Sequence, residues 1–159
     1  MNTQLLEALC QDFTAIYQCD LIQDTIDIVR YDKGTHTDTA IQTMDSYTLH
    51  SFSKMIQYFE NLYIQDSAQE SFWKEFEPQA LMEKLKDNPI YCYHCRLKPN
   101  QNGNEYHSFR AIKLNESKSS FEVVIVIKVM DDLMEKQYKN EKRLQQLLEE
   151  KKHQKEELE

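Results

Sequence analysis

Residues 123–136 read VVIVIKVMDDLMEK, an apolar run that passes into a charged segment with neither glycine nor proline between them. The alternation of a strand places one apolar set on a single face, namely Phe121, Val123, Ile125, Ile127 and Val129. Val124 and Val126 give the opposite face an apolar centre as well. A strand that is apolar on both faces usually lies inside a sheet that is covered on both sides. Residues 120–130 therefore predict a central strand that leads directly into a helix.

Four further segments are typical of strands, because β-branched and aromatic residues alternate in them between polar turns. Two of them, IYCYHCRLK (90–98) and EYHSFRAIKL (105–114), precede the central strand and predict an antiparallel meander with it. The other two, TAIYQCDLI (14–22) and TIDIVRYD (25–32), predict an N-terminal hairpin. The five segments together predict an α+β fold with a five-stranded antiparallel sheet.

Helical spacing of apolar residues appears before and between these strands. An N-terminal amphipathic helix is predicted over residues 3–12, and short helices are predicted around Phe72 to Phe76 and over residues 77–88, with Pro78 in the first turn. The clearest stripe consists of Phe52, Met55, Ile56, Phe59, Leu62 and Tyr63. Residues 34–45 are rich in Thr, Asp and Gln and predict a loop.

The composition excludes several classes of function. With 19 basic and 27 acidic residues, the formal net charge of the 159-residue chain is −8, which argues against a nucleic-acid partner. No apolar run approaches the length of a membrane span and the first residues lack a basic signal region, so we expect a cytoplasmic protein with no membrane partner. Neither glycine, Gly34 or Gly103, lies in a phosphate-binding loop.

The order of these elements resembles a PAS domain, the sensor module of bacterial signalling proteins, over residues 10–136. The stretch SFSKMIQYFENLYIQDSAQESFWKEF resembles the helical part of that family, with Asp66 in its turn. The stretch YHCRLKPNQNGNEYHSFRAIKL resembles its paired strands, with Arg96 at the place of a frequent arginine. The chain departs from the family at His107, where Trp is common, and at Asp131-Asp132-Leu133-Met134, where Asp-Ile-Thr is common. The resemblance implies a PAS-like sheet with short helices on one face.

The segment after the last strand predicts one long helix. Residues 131–159 contain nine acidic and seven basic side chains and no Gly or Pro. Alternate steps of three and four give Met130, Leu133, Gln137, Asn140, Leu144, Leu147, Lys151, Gln154 and Leu158, of which five are apolar. This pattern predicts a weak parallel coiled coil, and therefore a homodimer, through Leu133, Leu144, Leu147 and Leu158. The alternative is a lone charged helix.

The chain is thus predicted to contain three segments: an N-terminal amphipathic helix (1–13), a PAS-like sensor domain (14–130) and a signalling helix (131–159). Asp131, Asp132 and Leu133 at the junction are the candidates for signal transmission. Because the sequence ends within the heptad pattern, we expect an output domain downstream. The resemblance implies a histidine kinase or a diguanylate cyclase (GGDEF) domain, so we expect no catalytic residue in residues 1–159.

The cysteines and histidines predict neither a metal site nor a cofactor. Cys92 and Cys95 are three residues apart on a strand, so their side chains point to opposite faces and cannot share a zinc ion or form a disulfide. Cys95-Arg96-Leu97 resembles the core of flavin-binding PAS domains, but it lies on a strand and His94 replaces Asn. A Cys-His hydrolase, in which His94 and His107 meet across paired strands, is a remote alternative.

The candidate ligand pocket lies between the helices and the sheet, where the resemblance implies that small molecules bind. Its candidates are Phe52, Ile56, Phe59, Phe72, Trp73, Phe76, Tyr91, Tyr93, Arg96, His107 and Arg110. Strand phase places Arg96 with Cys92 and His94 on one face, and Tyr91 and Tyr93 on the other. Two interpretations stay open from sequence: a sensor that binds a small-molecule ligand, and a ligand-free dimerisation or docking domain whose own aromatic rings fill the pocket.

Overall fold

The computed structural model describes residues 13–64, 69–99, 106–130 and 132–157. The chain divides into two compact units, residues 1–129 and 130–159. The described strands of the first unit are β1 Ala15–Asp20, β2 Thr25–Tyr31, β3 Ile90–Arg96, β4 Tyr106–Glu116 and β5 Phe121–Val129. Its described helices are α1 His36–Thr43, α2 Ser46–His50, α3 Phe52–Tyr63, α4 Gln69–Phe76 and α5 Pro78–Asp87. The second unit contains α6, Asp132–Glu157. The predicted N-terminal helix (3–12) lies outside the described residues.

The five strands form one antiparallel sheet in the order β2-β1-β5-β4-β3, which confirms the predicted fold class and the central position of β5. The two faces of β5 differ as its alternation predicted. Phe121, Val123, Ile125 and Ile127 belong to the large core that includes buried side chains of α3, α4 and α5. Val124 and Val126 lie on the other face in a small cluster with Ile16. We call the helix-covered face the inner face and the opposite one the outer face.

The three helices predicted from the stripe between Phe52 and Tyr63, around Phe72 to Phe76 and over residues 77–88 are confirmed as α3, α4 and α5. The predicted loop over residues 34–45 is wrong, because α1 occupies most of it. Thr35 caps α1 by accepting a hydrogen bond from the amide of Asp38, at 3.3 Å. The buried side chains of α1 are His36, Thr37 and Ala40. Since two of the three are polar, the apolar periodicity that marks a helix is missing from the sequence.

The turn of the β1–β2 hairpin is tied to the start of α3 through Asp24. This residue has a positive φ of 55°, a conformation that Asp tolerates better than most residues. Its carboxylate accepts hydrogen bonds from the Ser53 amide at 2.8 Å, the Ser53 hydroxyl at 2.7 Å and the Ser51 hydroxyl at 3.0 Å. One side chain thus satisfies an otherwise unpaired amide in the first turn of α3 and fixes the hairpin against that helix.

We expect Asp24→Ala to lower the free energy of unfolding by about 2 kcal/mol, because it combines the cost of a left-handed conformation with the loss of a cap. Asp24→Gly should cost about 1 kcal/mol, since glycine tolerates the positive φ and only the side-chain hydrogen bonds are lost. Urea unfolding measures both values, with the exposed strand residue Asp27→Ala as the control. Equal losses for the Ala and Gly variants would contradict the conformational part of this explanation.

The second unit is a helix of 26 residues, which confirms the predicted long C-terminal helix. Its side chains are largely exposed, and i,i+4 pairing joins Glu135 and Lys139 at 3.0 Å. Within the described ranges, no helix combines the length and the apolar character that a membrane span requires.

Candidate functional site

The aromatic candidates for the pocket fill the inner face with their own rings. Phe72 is fully buried, and its ring centroid lies 5.0 Å from that of Phe76, 5.6 Å from that of Phe109 and 6.0 Å from that of Tyr93. Phe59 is also buried and contacts Phe109 at 5.9 Å. Most of these pairs meet edge to face, the arrangement that aromatic rings prefer in a packed core. Phe52 and Ile56 are buried in the same core, and Trp73 packs against it partly exposed.

The structure decides the strand phase that the sequence left open. Tyr91 and Tyr93 lie on the inner face of β3 with the buried Cys95, whereas Arg96 is exposed on the outer face. Arg110 is exposed and lies opposite Cys92 in the register of β3 and β4, so it is also on the outer face. The two arginines therefore do not share a face with the other pocket candidates, and no guanidinium from them reaches the inner face.

The register also corrects the suggested meeting of His94 and His107. His94 lies opposite Ser108, while His107 lies opposite Cys95 on the inner face. Side chains of His94 and His107 therefore point to opposite faces of the sheet. Cys92 and Cys95 point to opposite faces, as their spacing predicted, but only Cys95 is buried, so the expectation of two buried cysteines is wrong for Cys92. Among the described residues, no three His, Cys, Asp or Glu side chains are placed to hold one metal ion.

Tyr91 takes part in a polar contact that joins β3 to α4 and α5. Its hydroxyl donates to the carboxylate of Glu75, which also pairs with Lys84 at 2.7 Å. The Lys84 ammonium lies 4.9 Å from the centroid of the Tyr91 ring. Burial raises the pKa of Tyr91, and the neighbouring Glu75 carboxylate raises it further. Tyr91 is therefore held as a neutral hydrogen-bond donor.

A group of buried polar side chains lies beside the aromatic core. The sequence singled out one of its members, His107, as a pocket candidate, but it did not predict His36. His36 and His107 are each only 3% exposed, and their rings meet edge to face at 4.8 Å. The ring of His36 also meets that of Tyr63 at 4.7 Å. His36 Nε2 donates to the carbonyl oxygen of Lys98 at 2.6 Å. We call His36, His107 and Tyr63 the buried histidine group.

One cavity with a volume of about 10 Å³ adjoins this group. It is lined by Thr14, Thr35, His36, Thr37, Phe59, Leu97, His107, Ile127 and Val129. A cavity of this size is close to the minimum for a single water molecule. The space is thus far smaller than the several hundred Å³ of a usual small-molecule site.

The candidates for signal transmission and dimerisation fall in the second unit. Leu133, Leu144 and Leu147 are 65%, 57% and 53% exposed on α6. Asp132 is the first residue of α6, while Asp131 and Leu158 lie outside the described residues. Dimerisation through these leucines stays a prediction.

Comparison with known proteins shows similarity at the level of structure. No protein-family model matches the chain, and no curated protein matches it. A PAS domain of a protein from Colwellia psychrerythraea is similar in structure, with a TM-score of 0.41 and 11% sequence identity. The alignment covers 79% of this chain and 97% of that domain. At this identity and TM-score the similarity does not establish a shared family or function.

Proposed function

We propose that the chain is a PAS-type signalling and dimerisation module of a cytoplasmic bacterial signal-transduction protein. In this proposal a conformational change in the sheet passes through the C-terminal helix to a downstream histidine kinase or diguanylate cyclase. One observation carries the proposal: β5 is central in the sheet, and only residues 130 and 131 separate it from the 26-residue α6.

The position of β5 gives this connection its physical basis. β5 is hydrogen-bonded to β1 along one edge and to β4 along the other. A shift of either neighbouring strand therefore displaces β5 through these hydrogen bonds. The connection contains no glycine, whose freedom in φ and ψ would absorb such a shift. We propose that Asp131, Asp132 and Leu133 pass the displacement of β5 to α6.

The exposed leucines of α6 support the homodimer. Leu133, Leu144 and Leu147 fall in the three-four spacing of a coiled coil and are all more than half exposed in the single chain. A highly charged helix of this length gains little stability from its own contacts in water. Burial of the leucine seam against a second copy would supply that stability.

The packing of the inner face bears on the kind of input. Because Phe59, Phe72, Phe76 and Phe109 contact one another, the aromatic core needs no ligand to fill it. This observation favours a signal that arrives as a conformational change or from a bound protein over a small-molecule ligand bound within the aromatic core. It also supports the second candidate function, a ligand-free docking domain.

Insertion of three glycines after Met134 in the full-length protein tests the coupling. We expect the insertion to uncouple output from input, because a flexible joint cannot transmit a rotation or a shift. The control is an in-frame duplication of residues 138–144, one heptad that keeps both helix and seam in phase. The readout is autophosphorylation or cyclic dinucleotide synthesis in the two signalling states. Normal regulation in the glycine variant would contradict rigid coupling.

A further inference from the structure

Polar side chains, more than apolar ones, hold α1 on the inner face. Ala40 is the apolar member of its buried set, and the other two members are His36 and Thr37. His36 Nε2 bonds the Lys98 carbonyl, and the Thr37 hydroxyl shares a hydrogen bond with the Tyr17 hydroxyl. Attachment of α1 therefore depends mainly on polar contacts, to which the exposed Thr43 adds a hydrogen bond with Tyr58 of α3 at 2.5 Å. In contrast, α3 buries Phe52, Met55, Ile56 and Phe59.

The bond to Lys98 fixes the tautomer of His36. A carbonyl oxygen can only accept, so Nε2 carries the hydrogen and Nδ1 of the neutral ring carries a lone pair. Nδ1 is buried, and no described residue makes a hydrogen bond with it. It is thus the free proton-binding position of a ring that is 3% exposed. A proton added there would create a buried cation, which is costly without a partner.

We propose that His36 is a proton-operated latch for α1. A proton taken up at Nδ1 leaves the bond from Nε2 to Lys98 in place but makes the ring a buried cation without a charged partner among the described residues. The docked state therefore loses stability relative to a released state in which the ring is solvated, α1 leaves the inner face and the small cavity that α1 helps to line opens. The wall that would open consists of Thr35, His36 and Thr37, and the wall that would remain includes Phe59, Leu97 and His107.

The groups around His36 do not offset such a charge. His107 of β4 and Tyr63 of α3 face its ring, and Tyr17 of β1 bonds the adjacent Thr37. Burial raises the pKa of Tyr63, which keeps it neutral. On α1 itself, the carboxylate of Asp38 accepts hydrogen bonds from the Gly34 amide at 2.8 Å and from Gln42 at 3.2 Å. Charged partners for a protonated His36 are thus missing from the contacts of the described residues.

The direction of the pH dependence follows from the pKa of His36. Burial lowers that pKa below its usual value of 6.5, and the bond to the Lys98 carbonyl opposes this only in part. When α1 is released, the ring is solvated and its pKa returns to about 6.5. The released state then binds more protons than the docked state, so docking weakens as the pH falls from about 6.5 towards the lowered pKa. Above about pH 6.5, His36 is neutral in both states and α1 stays docked on the inner face.

Amide hydrogen exchange on the whole chain tests the latch. The measured quantity is the protection factor, which is the exchange rate of an amide in an unfolded chain divided by its rate in the protein, so the intrinsic pH dependence of exchange cancels. We expect the protection factors of residues 36–43 to fall by up to about tenfold between pH 7.5 and 5.5. His36→Gln keeps a side-chain donor for Lys98 but cannot take up a proton, so its protection should be nearly independent of pH. The matched control His50→Gln, at an exposed position of α2, should behave as the wild type does.

Three outcomes would overturn the proposal: constant protection of α1 in the wild type, an undiminished pH effect in His36→Gln, or loss of the effect only in His107→Gln. If His36→Gln does not fold, an NMR titration of the histidine ring protons in the wild-type protein tests the proposal without a variant. The His36 signal should titrate with a midpoint below 6.5, and the loss of protection should occur between that midpoint and about 6.5. A midpoint at or above 6.5 would also overturn the latch.

Discussion

Replacement of Phe72 by alanine should lower the free energy of unfolding by about 3–5 kcal/mol, the range observed when large aromatic side chains are removed from packed cores. Phe72 is fully buried, and its ring contacts Phe59, Phe76, Phe109 and Tyr93. The substitution removes the ring from the centre of this cluster and leaves a cavity that rigid aromatic neighbours cannot fill. A loss of this size is a large fraction of the stability of a domain of this length.

Urea unfolding of Phe72→Ala measures the effect, with Tyr47→Ala as the control. Tyr47 is 72% exposed, so its removal should change the free energy of unfolding by less than about 0.5 kcal/mol. The experiment also separates the two interpretations of the inner face. A loss for Phe72→Ala below about 1 kcal/mol would mean that the ring lines an adaptable pocket, and the account of a filled aromatic core would be wrong.

A double substitution in α6 should have the second large effect. We expect Leu144→Lys with Leu147→Lys to raise the dissociation constant of the proposed dimer at least about a hundredfold. Burial of one leucine contributes about 1.5–3 kcal/mol, and each 1.4 kcal/mol changes a dissociation constant tenfold. Two leucines are lost from each copy, and lysines placed in the seam add repulsion between like charges.

Leu148→Lys is the matched control, because Leu148 is 59% exposed and lies one residue outside the three-four spacing. Sedimentation equilibrium of the three proteins over a range of concentrations gives the dissociation constants. Leu148→Lys should change the dissociation constant far less than the seam variant does. Equal effects of the control and the seam variant would place the helix contact elsewhere, and the predicted heptad register would be wrong.

The sequence predicted the elements whose stability comes from apolar periodicity. β5 has two apolar faces and is central, and the stripe of α3 packs where its spacing indicated. The opposite orientations of Cys92 and Cys95 also followed from the period of a strand. In each of these cases the hydrophobic effect acts on side chains that are visible as a pattern along the chain.

Elements held by polar contacts could not be predicted in the same way. α1 is fixed by a Thr35 cap and by buried His36 and Thr37, whose partners Lys98 and Tyr17 are distant in sequence. The orientation of Arg96 and Arg110 needed the strand register, because both phases of β3 carry aromatic or basic residues. These polar contacts and side-chain orientations depend on which residues pair across the sheet, and the local sequence does not show that pairing.

Native mass spectrometry of the purified chain, compared with spectra under denaturing conditions, tests the central claim most directly. The account describes a dimeric module whose inner face is filled by its own aromatic rings. It predicts a dimer of two 19.0 kDa chains with no additional mass. A monomer at micromolar concentration would contradict the helix-mediated dimer. A dimer carrying an extra mass that is lost on denaturation would contradict the filled inner face and identify a ligand sensor.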